Sequence, residues 1–212
     1  MSKTLVIGAN GQIGQKLVKR LVERGHPVRA MVRNTEQERA LSALGAEVVT
    51  GDLEGDFEST LDDCDALVFT AGSGPKTGLD KTLLVDAWGA AKTINAAVDK
   101  GIRRYVMVSS RGAANPDFGP EAIKPYCVAK HMADHYLTTS ILDYTILRPG
   151  RLLDEPATGR FRTQRPEAKD EQVITREDTA DAIVYCLERE HTIHQIYELY
   201  QGHEGLEEAL GE

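Results

Sequence analysis

The chain has 212 residues, 41% of them hydrophobic and 27% charged, with a formal net charge of −8. Its length suits one domain with a full core, residues 1–212, and its composition excludes disorder. The acidic balance gives nucleic acid and anionic membranes no general attraction, and no apolar run approaches the ~20 residues that cross a bilayer.

The first strand is expected at Thr4–Ile7. It empties into Gly8-Ala9-Asn10-Gly11-Gln12-Ile13-Gly14, three glycines spaced three apart. From Ile13 the apolar positions Leu17, Val18, Leu21 and Val22 follow helical spacing up to a cap at Gly25. A second strand is read at Val28–Val32. Thr35 then opens a helix, with Glu38 completing a capping box and Gly45 closing it. Ala46–Thr50 reads as a third strand ending at Gly51-Asp52-Leu53, and a short helix spans Phe57–Leu61. A fourth strand, Ala66–Thr70, runs into Ala71-Gly72-Ser73-Gly74.

A long helix is expected from Asp80 to Lys100, with Leu84, Trp88, Ala91, Ile94 and Val98 as its apolar stripe. A fifth strand, Arg104–Ser109, ends in Ser109-Ser110. Arg111–Lys124, with Gly112, Pro116, Gly119 and Pro120, reads as a loop with room for one helical turn. Pro125 suits the first turn of a helix that continues to Thr139. Tyr144–Leu147 is a sixth strand broken by Arg148-Pro149-Gly150-Arg151, and Asp154–Val173 is irregular. A helix at Asp178–Glu188, a strand at Gln195–Tyr200 and a terminal turn or helix at Leu206–Leu210 complete the chain. Strands alternating with helices, and too apolar for one wet face, call for a parallel sheet covered on both sides: an α/β, doubly wound (Rossmann) fold.

The glycine run has a physical reading. Gly8 permits a sharp turn, Gly11 lets a phosphate approach bare backbone, and Gly14 lets helix and strand pack closely. The N–H groups and positive dipole end at Asn10, Gln12 and Ile13 then face the pyrophosphate of a dinucleotide. The second strand ends Met31-Val32-Arg33-Asn34 with no carboxylate to hold a ribose diol. Arg33 suits a 2′-phosphate, so NADP is preferred over NAD, with Arg29 as an alternative partner. Asp52 reads as an acceptor for an adenine amino group or as a turn residue. Ala71, Gly72 and Ser73 are small where sugar and phosphates would cross the sheet.

Tyr126 and Lys130 stand four apart and share a helix face. A nearby ammonium favours phenolate and lowers the tyrosine pKa, which would suit an acid/base that works beside hydride transfer. Ser109 or Ser110 can hydrogen-bond the same substrate oxygen. His131 and His135 are also four apart, but no third metal ligand is evident and no metal is expected. Trp88 and Tyr136 read as packing residues. Cys64, Cys127 and Cys186 are isolated and read as reduced thiols of a cytoplasmic protein.

These motifs, together with Tyr144-Thr145-Ile146-Leu147-Arg148-Pro149-Gly150, resemble the atypical short-chain dehydrogenase/reductase superfamily over nearly the whole length. The resemblance is to its NmrA-like, NAD(P)-dependent epimerase/dehydratase-like and biliverdin/flavin-reductase-like members. It implies Ser109 or Ser110 as the substrate-binding serine, Tyr126 as acid/base and Lys130 as its partner on the nicotinamide ribose. It also implies Pro149, Gly150 and Arg151 as backbone near the nicotinamide. The superfamily's usual active-site asparagine falls at Asp86 here, which changes the local charge. Only 62 residues follow Gly150, too few for the substrate domain of a nucleotide-sugar epimerase.

The expected function is NADP-dependent hydride transfer to or from a small carbonyl or quinone-like substrate held between the Arg111–Lys124 loop and the Arg151–Val173 flap. The alternatives are a non-catalytic NADP(H)-sensing regulator and a flavin- or bilin-type reductase that does without the tyrosine. Neither nucleic acid nor membrane is expected as a partner. The long fourth-to-fifth-strand helix offers a face for a homo-oligomer.

Overall fold

The computed structural model describes residues 3–74 and 77–211. Ten strands are formed: β1 (Thr4–Ile7), β2 (Val28–Val32), β3 (Glu47–Thr50), β4 (Ala66–Phe69), β5 (Arg104–Val108), β6 (Asp143–Pro149), β7 (Arg151–Leu153), β8 (Phe161–Arg162), β9 (Val173–Thr175) and β10 (Gln195–Gln201). Eight of them build one sheet in the order β3-β2-β1-β4-β5-β6-β10-β8. Every pairing in it is parallel except the short β8, which lies antiparallel on β10 and closes that edge. The order reverses beside β1, between β2 and β4. This is where doubly wound sheets open a crevice for ligands at the strand C-termini.

The helices are α1 (Gln12–Glu23), α2 (Glu38–Ala43), α3 (residues 79–99), α4 (Lys124–Thr138), α5 (Arg176–Glu188) and α6 (Leu206–Leu210). Alternate residues of each strand feed opposite faces of the sheet. Val6, Val68, Val106 and Val108 pack beneath α1 and α5, whereas Leu5, Ile7, Phe69, Tyr105 and Met107 pack beneath α3 and α4. Leu5, Val6 and Ile7 have no exposed surface, and each contributes about 1.5–3 kcal/mol by its burial. This double-sided core holds β1 rigid up to Gly8. The chain therefore forms one α/β layered unit of Rossmann type.

Several local expectations are corrected. Asn34, not Thr35, precedes the second helical segment, which opens as a 3₁₀ turn (Thr35–Gln37) with no side-chain cap. The Arg111–Lys124 loop holds three 3₁₀ turns, at Arg111–Ala113, Pro116–Phe118 and Glu121–Ile123. The stretch read as irregular contains β8, and its ends are tied by a second small sheet in which β7 pairs parallel with β9. Helix α5 begins two residues early, at Arg176, where the Thr175 hydroxyl accepts from Asp178 N.

The largest correction concerns α3. Residues Thr82–Gly89 are π-helical, and the wider turn rotates side chains away from the positions an α-periodicity assigns them. Asp86 is thereby carried fully inside, while Leu84 and Trp88, expected in the apolar stripe, are left exposed. Tyr136 is also exposed, donating to Asn95 Oδ1 at 3.0 Å. The three cysteines are buried free thiols.

Candidate functional site

The glycine turn is built as a tight cradle. Gly8 has φ +87°, and a Cβ there would stand 2.5 Å from Ala71 N. Thr70 Oγ1 donates to Ile7 O at 3.0 Å and pins β4 against the turn. Gly14 is packed on Gly8 O and Ala9, again with no room for a Cβ. Gly11 is the N-cap of α1. It offers no side-chain cap, and no acidic residue stands in the first turn. The leading N–H groups at Gln12 and Ile13 are thus left for an anion, which the helix dipole favours. Gln15 Nε2 donates to Asn10 O at 2.9 Å and holds the turn beside them.

A cavity of about 380 Å³ runs from this turn along the strand ends. Its walls include Gly8, Asn10, Gly11, Arg33, Asp52, Leu53, Ala71, Gly72 and Ser73 of the residues read from sequence for the cofactor, whereas Gln12, Ile13, Gly14, Pro149, Gly150 and Arg151 are not among them. Thr70, Gln37 and the rim pair Lys81–Glu54 (2.6 Å) complete it and were not foreseen. Arg33 is exposed, and among the described residues its guanidinium has no ion-pair partner; only its backbone N–H is engaged, by Gln37 Oε1. Asp52 Oδ1 accepts from Glu54 N, the turn role. Arg29 is excluded as a phosphate ligand. It is buried near the start of β2, pairs with Glu47 at 2.7 Å and donates to Thr60 O and Asp62 O, because an inward guanidinium must be matched by acceptors.

Helix α4 carries the second half of the site. Tyr126, Lys130 and Asp134 recur every four residues on one face, and Lys130 and Asp134 are buried. Lys130 Nζ donates to Ala71 O at 3.4 Å, on the cleft wall, and to Val108 O at 3.2 Å, next to Ser109. It also lies 3.5 Å from Asp86 Oδ1 and 5.8 Å from the Tyr126 ring centre. Asp86 in turn accepts from Ser73 N at 3.0 Å. Neither Tyr126, Lys130 nor Ser109 lines the 380 Å³ cavity; Lys130 is the link between the two.

The expected lowering of the Tyr126 pKa is overturned. Burial of the phenol raises it, and Asp86, Cys127 and Asp134 add to that, against the single pull of Lys130. Tyr126 is therefore a neutral phenol at physiological pH. Lys130 is shifted upward too: burial opposes its ammonium, but Tyr126 once ionised, Asp86 and Asp134 together outweigh that and raise its pKa.

The two serines separate. Ser110 Oγ accepts from Gly112 N as the cap of a 3₁₀ turn. Ser109 is buried with its Oγ unpartnered among the described residues. Pro149 and Gly150 end β6 against β10, and a Cβ on Gly150 would meet Gln172 O at 2.6 Å, so only glycine lets the flap strand close here. Arg151 N donates to that same Gln172 O at 2.8 Å, while its side chain is exposed. His131 Nδ1 is engaged by Ala113 O at 2.7 Å.

Two further residues, beside Lys130, escaped the sequence reading. Asp134 Oδ2 accepts from Arg148 Nε at 2.9 Å, a pair only 3% and 16% exposed. The signal for Asp134 was its place four residues after Lys130 on the same inward face. Arg148 lay in the Tyr144–Gly150 motif, but nothing there pointed to its partner, which sits on another element.

The chain belongs to the NAD(P)H-binding family, whose pattern it matches over residues 8–190. Within that family it falls in the atypical short-chain dehydrogenase/reductase group. It is 48% identical to the uncharacterized sugar epimerase YhfK of Bacillus subtilis, covering 98% of each chain. Among solved structures it is similar to a Bacillus halodurans protein named as a candidate NAD-dependent epimerase/dehydratase (44% identity, 98% of each chain, TM-score 0.94). It is also similar to ChuY, an anaerobilin reductase of Escherichia coli O157:H7 (27% identity, 94% of this chain and 97% of the other, TM-score 0.79).

Proposed function

We propose that this protein is an NADP(H)-dependent reductase. The observation that carries the reading is Lys130, which joins the wall of the dinucleotide cleft at Ala71 to the half-buried Tyr126 and the strand end beside buried Ser109. The cleft fits the cofactor on its own geometry: a bare glycine cradle, an uncapped helix N-terminus and an Arg33 with no ion-pair partner among the described residues. Gly11, Gln12 and Ile13 would hold the pyrophosphate, Arg33 the 2′-phosphate, and Lys130 the nicotinamide ribose. The bound cofactor supplies the hydride.

Tyr126 supplies the proton. A phenol that burial keeps neutral is suited to give a proton to a substrate oxygen rather than to remove one, which favours reduction over oxidation. Ser109 orients that oxygen. The substrate is a carbonyl or quinone-like acceptor lying between the 111–124 loop and the 151–173 flap. The similarity to a reductase adds support for this direction.

NADPH consumption against a panel of carbonyl, quinone and linear-tetrapyrrole acceptors tests the reading, with NADH as control. Tyr126→Phe is expected to lower turnover about 10²-fold without changing NADPH affinity. A second reading is favoured by Asp86, which neutralises Lys130 and leaves Tyr126 unactivated: reduction with the proton taken from water. Unchanged turnover in Tyr126→Phe selects it. An absence of NADPH consumption with every acceptor removes both readings and leaves the sensor role.

A further inference from the structure

The flap and its neighbours are rich in arginine, and most of these side chains have a counter-charge. Arg148, Arg162, Arg165 and Arg176 face the carboxylates of Asp134, Glu171, Glu198 and Asp154 respectively. Arg111 differs. The chain has 33 acidic residues against 25 lysines and arginines, yet half-buried Arg111 has no ion-pair partner among the described residues.

Its place follows from β5. Ser109 comes directly after that strand, buried, with its Oγ unpartnered among the described residues. Arg111 opens the 3₁₀ turn two residues later. Two residues of extended chain span about 7 Å, so one small molecule can reach both the Ser109 hydroxyl and the Arg111 side chain. The turn also lies directly on α4: a Cβ on Gly112 would run into the Sγ of Cys127, the residue after Tyr126.

Arg111 is held by one corner only. Its Nη1 donates to Gln172 O on the flap at 2.7 Å, and its own carbonyl accepts from Arg165 Nη2 at 2.8 Å. The other edge of the guanidinium, Nε and Nη2, has no acceptor among the described residues. Such an edge presents two parallel N–H groups, which a carboxylate accepts as a pair. Arg151 adds positive charge at the same point. Its N–H donates to the same Gln172 O at 2.8 Å, and its exposed side chain has no ion-pair partner among the described residues.

We propose that the free edge of Arg111 binds a carboxylate of the substrate, so that the acceptor is a carbonyl compound carrying a carboxylate group. The carbonyl oxygen lies at Ser109 and Tyr126, and the carboxylate supplies the counter-charge that the half-buried guanidinium lacks. A site built this way rejects neutral analogues, because they leave its polar edge unpaired. The placing of the carbonyl rests on the reductase reading; the carboxylate site does not.

The test titrates the protein, saturated with NADP⁺, with 2-, 3- and 4-carboxybenzaldehyde and the methyl ester of each by calorimetry. NADPH oxidation is followed with the same compounds. At least one acid is expected to bind about 10- to 100-fold more tightly than its ester. R111Q retains an N–H donor without the charge, and is expected to bring acid and ester level by weakening the acid alone. R165Q releases the flap from Arg111 O but keeps the Arg111 guanidinium, and is expected to retain the acid preference.

An acid preference that survives in R111Q, or that R165Q loses as fully as R111Q, overturns the proposal. Acids that bind no tighter than their esters, or no binding of either, also overturn it. If R111Q does not fold, R111K decides: it keeps a charge and gives up the fork, and an undiminished acid preference overturns the proposal. If an acid binds through Arg111 but no acceptor consumes NADPH, the carboxylate site stands and the reductase reading fails by itself.

Discussion

Lys130 Nζ lies 3.5 Å from Asp86 Oδ1, with side-chain exposures of 2% and 0%. Two charges taken that far from water hold each other in place, and removing one strands the other. Asp86→Ala is expected to cost about 3–5 kcal/mol in urea unfolding. Replacing both by apolar residues of similar size, Asp86→Leu with Lys130→Met, is expected to cost less than the single change.

The same pair controls the tyrosine. Asp86 adds to the burial that raises the Tyr126 pKa and offsets the opposing charge of Lys130. Asp86→Asn is therefore expected to move the phenol downward, so its ionisation appears at lower pH than in wild type. An ultraviolet titration read as the difference from Tyr126→Phe measures this. An unmoved phenol would mean that burial alone governs it.

On the proposed reading, cofactor preference turns on Arg33. Its guanidinium lines the cleft and, among the described residues, has no ion-pair partner. A charge-assisted fork to a phosphate is worth about 1.5–3 kcal/mol. Arg33→Ala is expected to weaken NADPH binding by roughly 10- to 100-fold while leaving NADH unchanged, as read by calorimetric titration. Equal losses for both cofactors would place the arginine elsewhere.

Glycine substitutions separate cradle from linker. Gly8→Ala combines a left-handed backbone, φ +87°, with a Cβ 2.5 Å from Ala71 N. It is expected to lower the melting temperature strongly and to abolish dinucleotide binding, since backbone cannot move aside. Gly205→Ala meets nothing within 4 Å at φ −72°, and is expected to shift stability by no more than about 0.5 kcal/mol.

Acid sensitivity is set partly between α1 and α5. Lys16 donates to Glu177 at 2.5 Å, and Arg20 bonds both Glu177 and Asp181. The Lys16 hydrogen bond, with help from Arg20 and against burial, holds the Glu177 carboxyl below its ordinary range. A depressed folded pKa means that the stabilisation is complete above the unfolded value of 4.5. It is then lost as pH falls through the lower, folded value. Glu177→Gln is expected to flatten the acid side of the melting curve against pH, at a cost of about 1 kcal/mol near neutrality.

Features that depend on sequence neighbours were readable in advance. The glycine spacing, the apolar runs of β1, β2, β4 and β5, and the helix-starting Pro125 each act within a few residues of themselves. They were enough for the sheet class and for half of the residues that wall the cleft. Side chains whose fate depends on what packs above them were not readable. Arg29 lies in β2 and Arg33 directly after its end, yet only the first meets Glu47 and the carbonyls of Thr60 and Asp62. Trp88 looked like core and is exposed, because a π-helical stretch turned Asp86 inward in its place.

The sequence by itself determined a dinucleotide cradle, since φ at Gly8, close packing at Gly14 and the open N-terminus of α1 are consequences of local backbone chemistry. Only the tertiary structure decided how the site is charged. Lys130 brings Tyr126 a positive charge four residues away, as the sequence implied. Burial and Asp86, folded in from another helix, reverse its effect. Electrostatic energies in a buried site depend on distance and desolvation, and neither exists until β5, β6, α3 and α4 have packed together.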